Sequence, residues 1–66
     1  LLYAQGRYRE AEDYFRQLLE ILEKQHPISR RIVTCLENYA AVLRRLNLDK
    51  ESQLLRERAK KIRDTL

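Results

Sequence analysis

Five residues in the middle of the chain have types and spacings that could bind an extended peptide. Thr34, Asn38, Ala41 and Arg45 follow one another at i, i+4, i+7 and i+11, so on a helix they form one stripe, and Arg31 belongs to the same face. The small side chains leave room for a peptide backbone, the amide of Asn38 can hydrogen-bond it, and the arginines can pair with carboxylates. These five residues are the candidate partner-binding site. The alternative is an ordinary solvated helix face.

The residue types that usually carry catalysis or bind metals do not form a recognisable constellation. There is no Ser/His/Asp order, phosphate-binding glycine loop or paired-carboxylate arrangement. His26 precedes a proline and is interpreted as a turn residue, and Cys35, the single cysteine, as a small buried or half-buried apolar residue. Tyr8, Tyr14 and Tyr39 are assigned to packing positions. The sequence therefore predicts no catalytic, cofactor-binding or metal-binding residues.

The composition predicts an all-α protein without a membrane-spanning segment. The 66 residues include one Gly and one Pro and are 36% charged, which favours helices joined by short turns. No apolar run approaches the roughly 20 residues that a membrane-spanning helix needs. The net charge of +4 is interleaved with 10 acidic residues, which is more typical of solvated helices than of a phosphate-binding patch. A single cysteine fits an intracellular location, with the cytoplasm favoured.

The first part of the chain predicts a helix stub followed by a full helix. Residues 1–5 resemble the last turn of a helix that Gly6 stops, and the next helix should run from about Tyr8 to about Gln25. Pro27 ends that helix because it disfavours helical geometry in the residue before it. Since no Met precedes the stub, we expect a fragment of a longer chain, whose missing part, or a second copy of this chain, covers the exposed end.

Two further helices are predicted in the second part. Ser29 is a candidate N-cap for a helix that ends near residue 46, and the alternative is that Pro27 is already its first residue. Asn47 then takes a left-handed turn, and Asp49 caps a last helix that ends near residue 65. The prediction is about three full helices plus an N-terminal helix stub.

Each predicted full helix carries an apolar stripe at helical spacing. The stripes comprise Tyr8, Ala11, Tyr14, Phe15, Leu18, Leu19, Ile21 and Leu22, then Ile32, Leu36, Tyr39, Ala40, Leu43 and Leu46, and finally Leu48, Ser52, Leu55, Ala59, Ile62 and Leu66. On the outer face of the first of these helices, i,i+4 ion pairs are expected between Arg9 and Asp13, Arg16 and Glu20, and Glu20 and Lys24.

An internal repeat relates the two ends of the chain. When Gly6 is placed over Asn47, small residues meet small residues and apolar residues meet apolar ones. The matched pairs include Ala11 over Ser52, Leu18 over Ala59 and Ile21 over Ile62. A duplicated helical hairpin requires this pattern.

These residues resemble the tetratricopeptide repeat, in the longer variety found in kinesin light chain. Residues 3–12 (YAQGRYREAE) are similar to its turn and second helix, residues 19–24 (LEILEK) to the continuation, and residues 36–43 (LENYAAVL) to the next first helix. The later copy has Asn47, Asp49 and Ser52 where the family has glycine, tyrosine and alanine, as in the degenerate unit that closes an array. The resemblance predicts the C-terminal end of an array, with residues 1–26 ending one repeat and residues 27–66 forming the final, capping repeat.

The resemblance implies an α-solenoid of antiparallel helical hairpins and a non-catalytic protein–protein interaction module. In this family the first helix of each hairpin contacts ligand peptides, and Asn38 matches an asparagine that often bonds the ligand backbone. The expected partner is therefore a protein or peptide, not a membrane.

Two alternatives remain at the level of the sequence. The chain could act as a structural cap, or as a homo-oligomerisation segment through the exposed stub. Less favoured is nucleic-acid binding by five basic residues of the last helix, namely Arg56, Arg58, Lys60, Lys61 and Arg63.

Overall fold

Three α-helices make up the part of the chain that the structure describes. The computed structural model describes residues 7–66, which form α1 (Tyr8–Gln25), α2 (Arg30–Arg45) and α3 (Asp49–Thr65). Over this range the all-α prediction is confirmed, with three full helices and no strand. The predicted stub at residues 1–5 and the turn at Gly6 lie outside the described residues.

Ser29 fixes the junction between α1 and α2. Its hydroxyl oxygen accepts a hydrogen bond from the backbone N–H of Ile32 at 3.3 Å, and the hydroxyl donates to the carbonyl of His26 at 3.1 Å. Ser29 is therefore the N-cap, and the alternative with Pro27 as the first helical residue is wrong. The same hydroxyl joins the end of one helix to the start of the next.

Asn47 ends α2 in the left-handed conformation that the sequence predicts, with φ of 64°. The N–H of Leu48 donates to the carbonyl of Leu43 at 2.9 Å, and the N–H of Asn47 donates to the carbonyl of Arg44 at 3.0 Å. These two bonds form a Schellman motif, which satisfies carbonyls at the helix end. The next helix can then start after a connection of three residues, 46–48.

Replacing Asn47 tests this turn. Asn47→Val should lower the free energy of unfolding by about 1–2 kcal/mol, because a β-branched residue is disfavoured at positive φ. Asn47→Gly is the matched control and should be neutral or slightly stabilising, since glycine adopts this conformation without a steric cost. Urea unfolding followed by far-ultraviolet circular dichroism measures both. Equal stability of the two variants would contradict the assigned turn.

The start of α3 differs from the prediction. Leu48 is the N-cap, Asp49 is the first helical residue, and no side chain accepts a capping hydrogen bond. Asp49 and Glu51 still lie in the first turn, where their negative charges interact favourably with the helix dipole. The Schellman motif explains the difference. The N–H of Leu48 completes the end of α2, so that Asp49 is already inside α3.

The core lies where the three helices meet, and α2 is in the middle because it packs against both neighbours. Ile32 and Leu36 of α2 are 0% exposed. The buried cluster contains Leu19, Leu22, Ile32, Val33, Cys35, Leu36 and Ala59, with Phe15, Leu18, Tyr39, Leu55 and Ile62 partly buried against it. Short connections of three or four residues make neighbouring helices antiparallel.

Three residues of the predicted stripes are exposed, whereas the others are buried or partly buried. Tyr14 is 56% exposed, Ile21 51% and Leu66 57%. Conversely, Val33 and Val42 were not predicted in the core and are buried. The apolar arc of α1 is wider than the part of α1 that α2 covers, so residues at its edges stay exposed. In contrast, α2 is covered by α1 on one side and by α3 on the other, so it buries more residues than its predicted stripe contains.

Ser52 allows α2 and α3 to approach closely. Its side chain is 4% exposed, and its hydroxyl donates to the carbonyl of Ala40 at 2.8 Å. Ala40 is itself 1% exposed. A small side chain on each helix therefore forms the contact, and the buried hydroxyl of Ser52 has its partner.

The ion pairs differ from the expected i,i+4 set. On α1, Arg16 pairs with Asp13 at 2.7 Å and Arg9 approaches Glu12 at 3.8 Å, both at i,i+3 spacing. The two other pairs join different helices, Arg63 to Glu37 at 3.0 Å and Arg58 to Glu23. All are at the surface, where such pairs contribute little to stability.

Candidate functional site

All five predicted site residues lie on α2 and are exposed. They are Arg31, Thr34, Asn38, Ala41 and Arg45. With a rise of 1.5 Å per residue, the row from Arg31 to Arg45 is about 21 Å long. That length equals roughly six residues of an extended chain.

The first three of these residues line a groove between α1 and α2. This α1/α2 groove has a volume of about 460 Å³. Its lining consists of Tyr14, Phe15, Leu18 and Leu22 from α1 and Arg30, Arg31, Thr34, Cys35 and Asn38 from α2. The rings of Tyr14 and Phe15 meet edge to face, with centroids 5.3 Å apart. The groove therefore has an apolar wall on α1 and a polar, positively charged wall on α2.

The last two of the predicted residues line a different groove, between α2 and α3. This α2/α3 groove has an inner lobe of about 640 Å³, lined by Glu37, Ala40, Ala41, Arg44, Arg45, Ser52 and Arg56. An adjoining outer lobe of about 800 Å³ shares Glu37, Arg44, Ser52 and Arg56 and continues along α3. The structure therefore keeps the predicted row on one helix but divides it between two grooves.

Sequence reasoning missed the neighbours that complete both grooves. Tyr14 was assigned to the core, yet it lies at the surface beside Thr34 and Asn38. Arg44 is not among the residues that the sequence predicts for the site, and Arg56 is predicted only on the basic surface of the last helix. No local signal could reveal these neighbours, since they come from other helices. The sequence nevertheless shows Arg44 and Arg45 as two adjacent cations in one helical turn.

Charge is distributed unevenly around the α2/α3 groove. Among residues 7–66, Arg44, Arg45 and Arg56 have no carboxylate within ion-pair distance. Glu37, the single acid of the inner lobe, is bound by Arg63 at 3.0 Å. Three guanidinium groups therefore line the inner lobe without an ion-pair partner among residues 7–66.

Burial raises the pKa of two side chains, Cys35 and Tyr39. Burial, together with the negative charge of Glu23, raises the pKa of the Cys35 thiol above its ordinary value. Its sulfur lies 3.7 Å from the carbonyl oxygen of Phe15 and is buried, as the sequence predicted. Burial is also the main reason why the pKa of Tyr39 is raised, with Glu12 as the second cause. Both side chains therefore remain neutral at pH 7.

The five basic residues of α3 that were weighed for nucleic-acid binding do not form one surface. Arg58 is engaged by Glu23 of α1, and Arg63 by Glu37 of α2. Arg56 and Lys60 line the α2/α3 groove together with acidic residues, whereas Lys61 lines neither groove. This distribution offers no continuous positive stripe for a nucleic-acid backbone.

The described part of the chain has neither a metal-binding cluster nor a membrane-spanning helix. Residues 7–66 contain no group of three or more His, Cys, Asp or Glu side chains that could hold a metal ion. None of the helices in this range has the length and apolar character required to cross a bilayer.

Comparison with known proteins identifies no relative: no family model, curated protein or solved structure matches the chain. Residues 7–66 define a class by their fold, an all-helical protein of three helices. Within this class, the distinguishing feature is a central helix whose exposed row lies between two grooves.

Proposed function

We propose that the chain is a non-catalytic protein–protein interaction module, built like the closing end of a tetratricopeptide array. In this proposal α1 completes one repeat, and α2 with α3 forms the final hairpin of an α-solenoid. The matched small residues support it, because Ala11 is 1% exposed and Ser52 4% exposed. Both residues are buried, which is what the proposed repeat requires of them.

The observation that carries the proposal is the exposed row on α2 with a groove on each side. An extended peptide of about six residues could lie along this row. Asn38 would hydrogen-bond its backbone, and Arg31 and Arg45 would pair with carboxylates near its two ends. Ala41 leaves room for the peptide backbone between Asn38 and Arg45.

The test is partner capture with the Asn38→Ala, Arg45→Ala double variant. The chain, immobilised on beads, is used to isolate partners, and the affinity of each identified partner is then measured by titration. Loss of an amide and a cation should weaken binding by about tenfold or more, because hydrogen bonds to charged groups are the strong ones.

A matched control removes the same two kinds of group elsewhere. Gln17→Ala with Lys61→Ala deletes one amide and one cation at exposed positions outside both grooves. This control should bind as the parent chain does. Equal affinity of the parent and the Asn38, Arg45 double variant would exclude α2 as the binding surface.

A structural role is the second candidate, and the composition of α3 favours it. Ser52 and Ala59 are the two buried residues of α3, and the rest of the helix is mostly charged. A helix with a narrow buried stripe and a charged outer surface suits the end of a stack. If capping is its role, deletion of α3 should cause unfolding or aggregation without changing partner selectivity.

Sedimentation across protein concentrations tests self-association, and a monomer throughout would exclude it.

A further inference from the structure

The inner lobe of the α2/α3 groove has a small-residue floor and cationic walls. The hydrogen bond from Ser52 to the carbonyl of Ala40 holds the two helices close together, and Ala41 extends the floor. Arg44 and Arg56 come from different helices and line both lobes. Cations on two elements can therefore approach one bound group from two sides.

The other polar side chains of this lobe are already engaged, so the arginines are the groups available to bind an anion. The hydroxyl proton of Ser52 is already donated to Ala40, and Glu37 is engaged by Arg63. Arg44, Arg45 and Arg56 form no ion pair within residues 7–66. Their guanidinium groups keep their donors for a ligand.

We propose that Arg44, Arg45 and Arg56 bind a single phosphate group carried by a phosphorylated side chain of a protein partner, in place of the carboxylate that Arg45 would otherwise pair with. Guanidinium groups match phosphate geometry in a bidentate manner, and three cations suit a dianion better than a carboxylate with one charge. The inference rests on the proposed function, since the row of α2 would deliver the partner segment to the lobe.

The acidic residues around the lobe favour a ligand with one phosphate group over a nucleic-acid strand with many. Glu37 belongs to both lobes, and Asp49 and Glu57 line the outer lobe. A nucleic-acid strand that continued out of the inner lobe would bring its next phosphates towards these carboxylates. The charge pattern therefore favours a phosphorylated side chain over a nucleic acid.

Titration followed by nuclear magnetic resonance tests the site on the 66-residue chain. The probes are a blocked Gly-Ala-phosphoserine-Ala-Gly peptide, the same peptide without phosphate, inorganic phosphate and a short oligothymidylate. The side-chain N–H resonances of Arg44, Arg45 and Arg56 should shift with the phosphopeptide and with inorganic phosphate, and not with the unphosphorylated peptide. Shifts spread evenly over all arginines would overturn the proposal.

Two variants test the role of the arginines separately from folding. Arg44→Gln with Arg56→Gln should weaken phosphopeptide binding by about tenfold or more for each arginine removed. Ala41→Glu leaves the arginines intact but places a carboxylate in the lobe, and it should abolish binding. Arg9→Gln with Lys61→Gln removes two exposed charges outside the lobe and should bind as the parent does. Circular dichroism checks the helix content of each variant.

The remaining outcomes separate this inference from the proposed function. Oligothymidylate that binds the same arginines as tightly as the phosphopeptide would overturn the protein assignment. A partner that is captured equally after phosphatase treatment, and equally by the Arg44, Arg56 variant, would overturn the phosphate site alone. A partner that binds the single variant Asn38→Ala, which keeps all three arginines, as tightly as the parent chain, while the phosphopeptide still binds the lobe, would overturn the proposed function alone.

Discussion

Leu36→Ala should leave much of the protein unfolded at room temperature. Leu36 is 0% exposed and lies in the cluster where the three helices meet. Truncating a buried leucine costs about 2–5 kcal/mol, since apolar contacts are lost and a cavity remains. A core of this size supplies only about 3–5 kcal/mol of net stability. The loss is therefore comparable with the whole stability of the chain.

Leu54→Ala is the matched control, because it makes the same chemical change at a side chain that is 64% exposed. Its free energy of unfolding should stay within about 0.5 kcal/mol of the parent. Urea and thermal unfolding, both followed by circular dichroism at 222 nm, measure the difference between the two variants. Comparable losses in both would mean that α2 does not occupy the centre of the core.

Ser52→Leu should destabilise the contact between α2 and α3 by about 1–3 kcal/mol or more. Ser52 is 4% exposed and its hydroxyl lies 2.8 Å from the carbonyl oxygen of Ala40. No space remains for three further carbon atoms, so the helices must separate or the side chain must leave its preferred rotamers. The separation would also disturb the floor of the α2/α3 groove.

Ser52→Ala separates the effect of size from that of the hydrogen bond. It keeps the small volume and removes only the bond to Ala40, which should cost about 0.5–1.5 kcal/mol. Denaturant unfolding of both variants gives the comparison. If the leucine variant were as stable as the alanine variant, the close approach of the two helices would be wrong.

The geometry of the candidate site could be predicted only in part. Spacing alone placed Thr34, Asn38, Ala41 and Arg45 on one exposed row, because residues on one helix have fixed angular positions. The division of that row between two grooves depends on where α1 and α3 lie. The opposite walls, with Tyr14 on one side and Arg56 on the other, come from distant parts of the sequence.

By itself the sequence determined the helices and most of their ends. The Tyr8–Gln25 helix, the Ser29 cap and the left-handed Asn47 follow from apolar periodicity and from residues that act on their own backbone. These are local interactions, so a neighbouring helix is not needed to specify them. The start of α3 is an exception, since the motif that ends α2 already uses Leu48.

Only the tertiary structure decided which sides of those helices are covered. Ile21 belongs to the apolar arc of α1 yet is 51% exposed, whereas Val42 was outside the predicted stripe and is 0% exposed. The same holds for the charges, because Glu23 and Glu37 pair with arginines of α3 and not with neighbours on their own helices. Burial and ion pairing depend on the partner that a helix face meets, and periodicity within one helix carries no information about that partner.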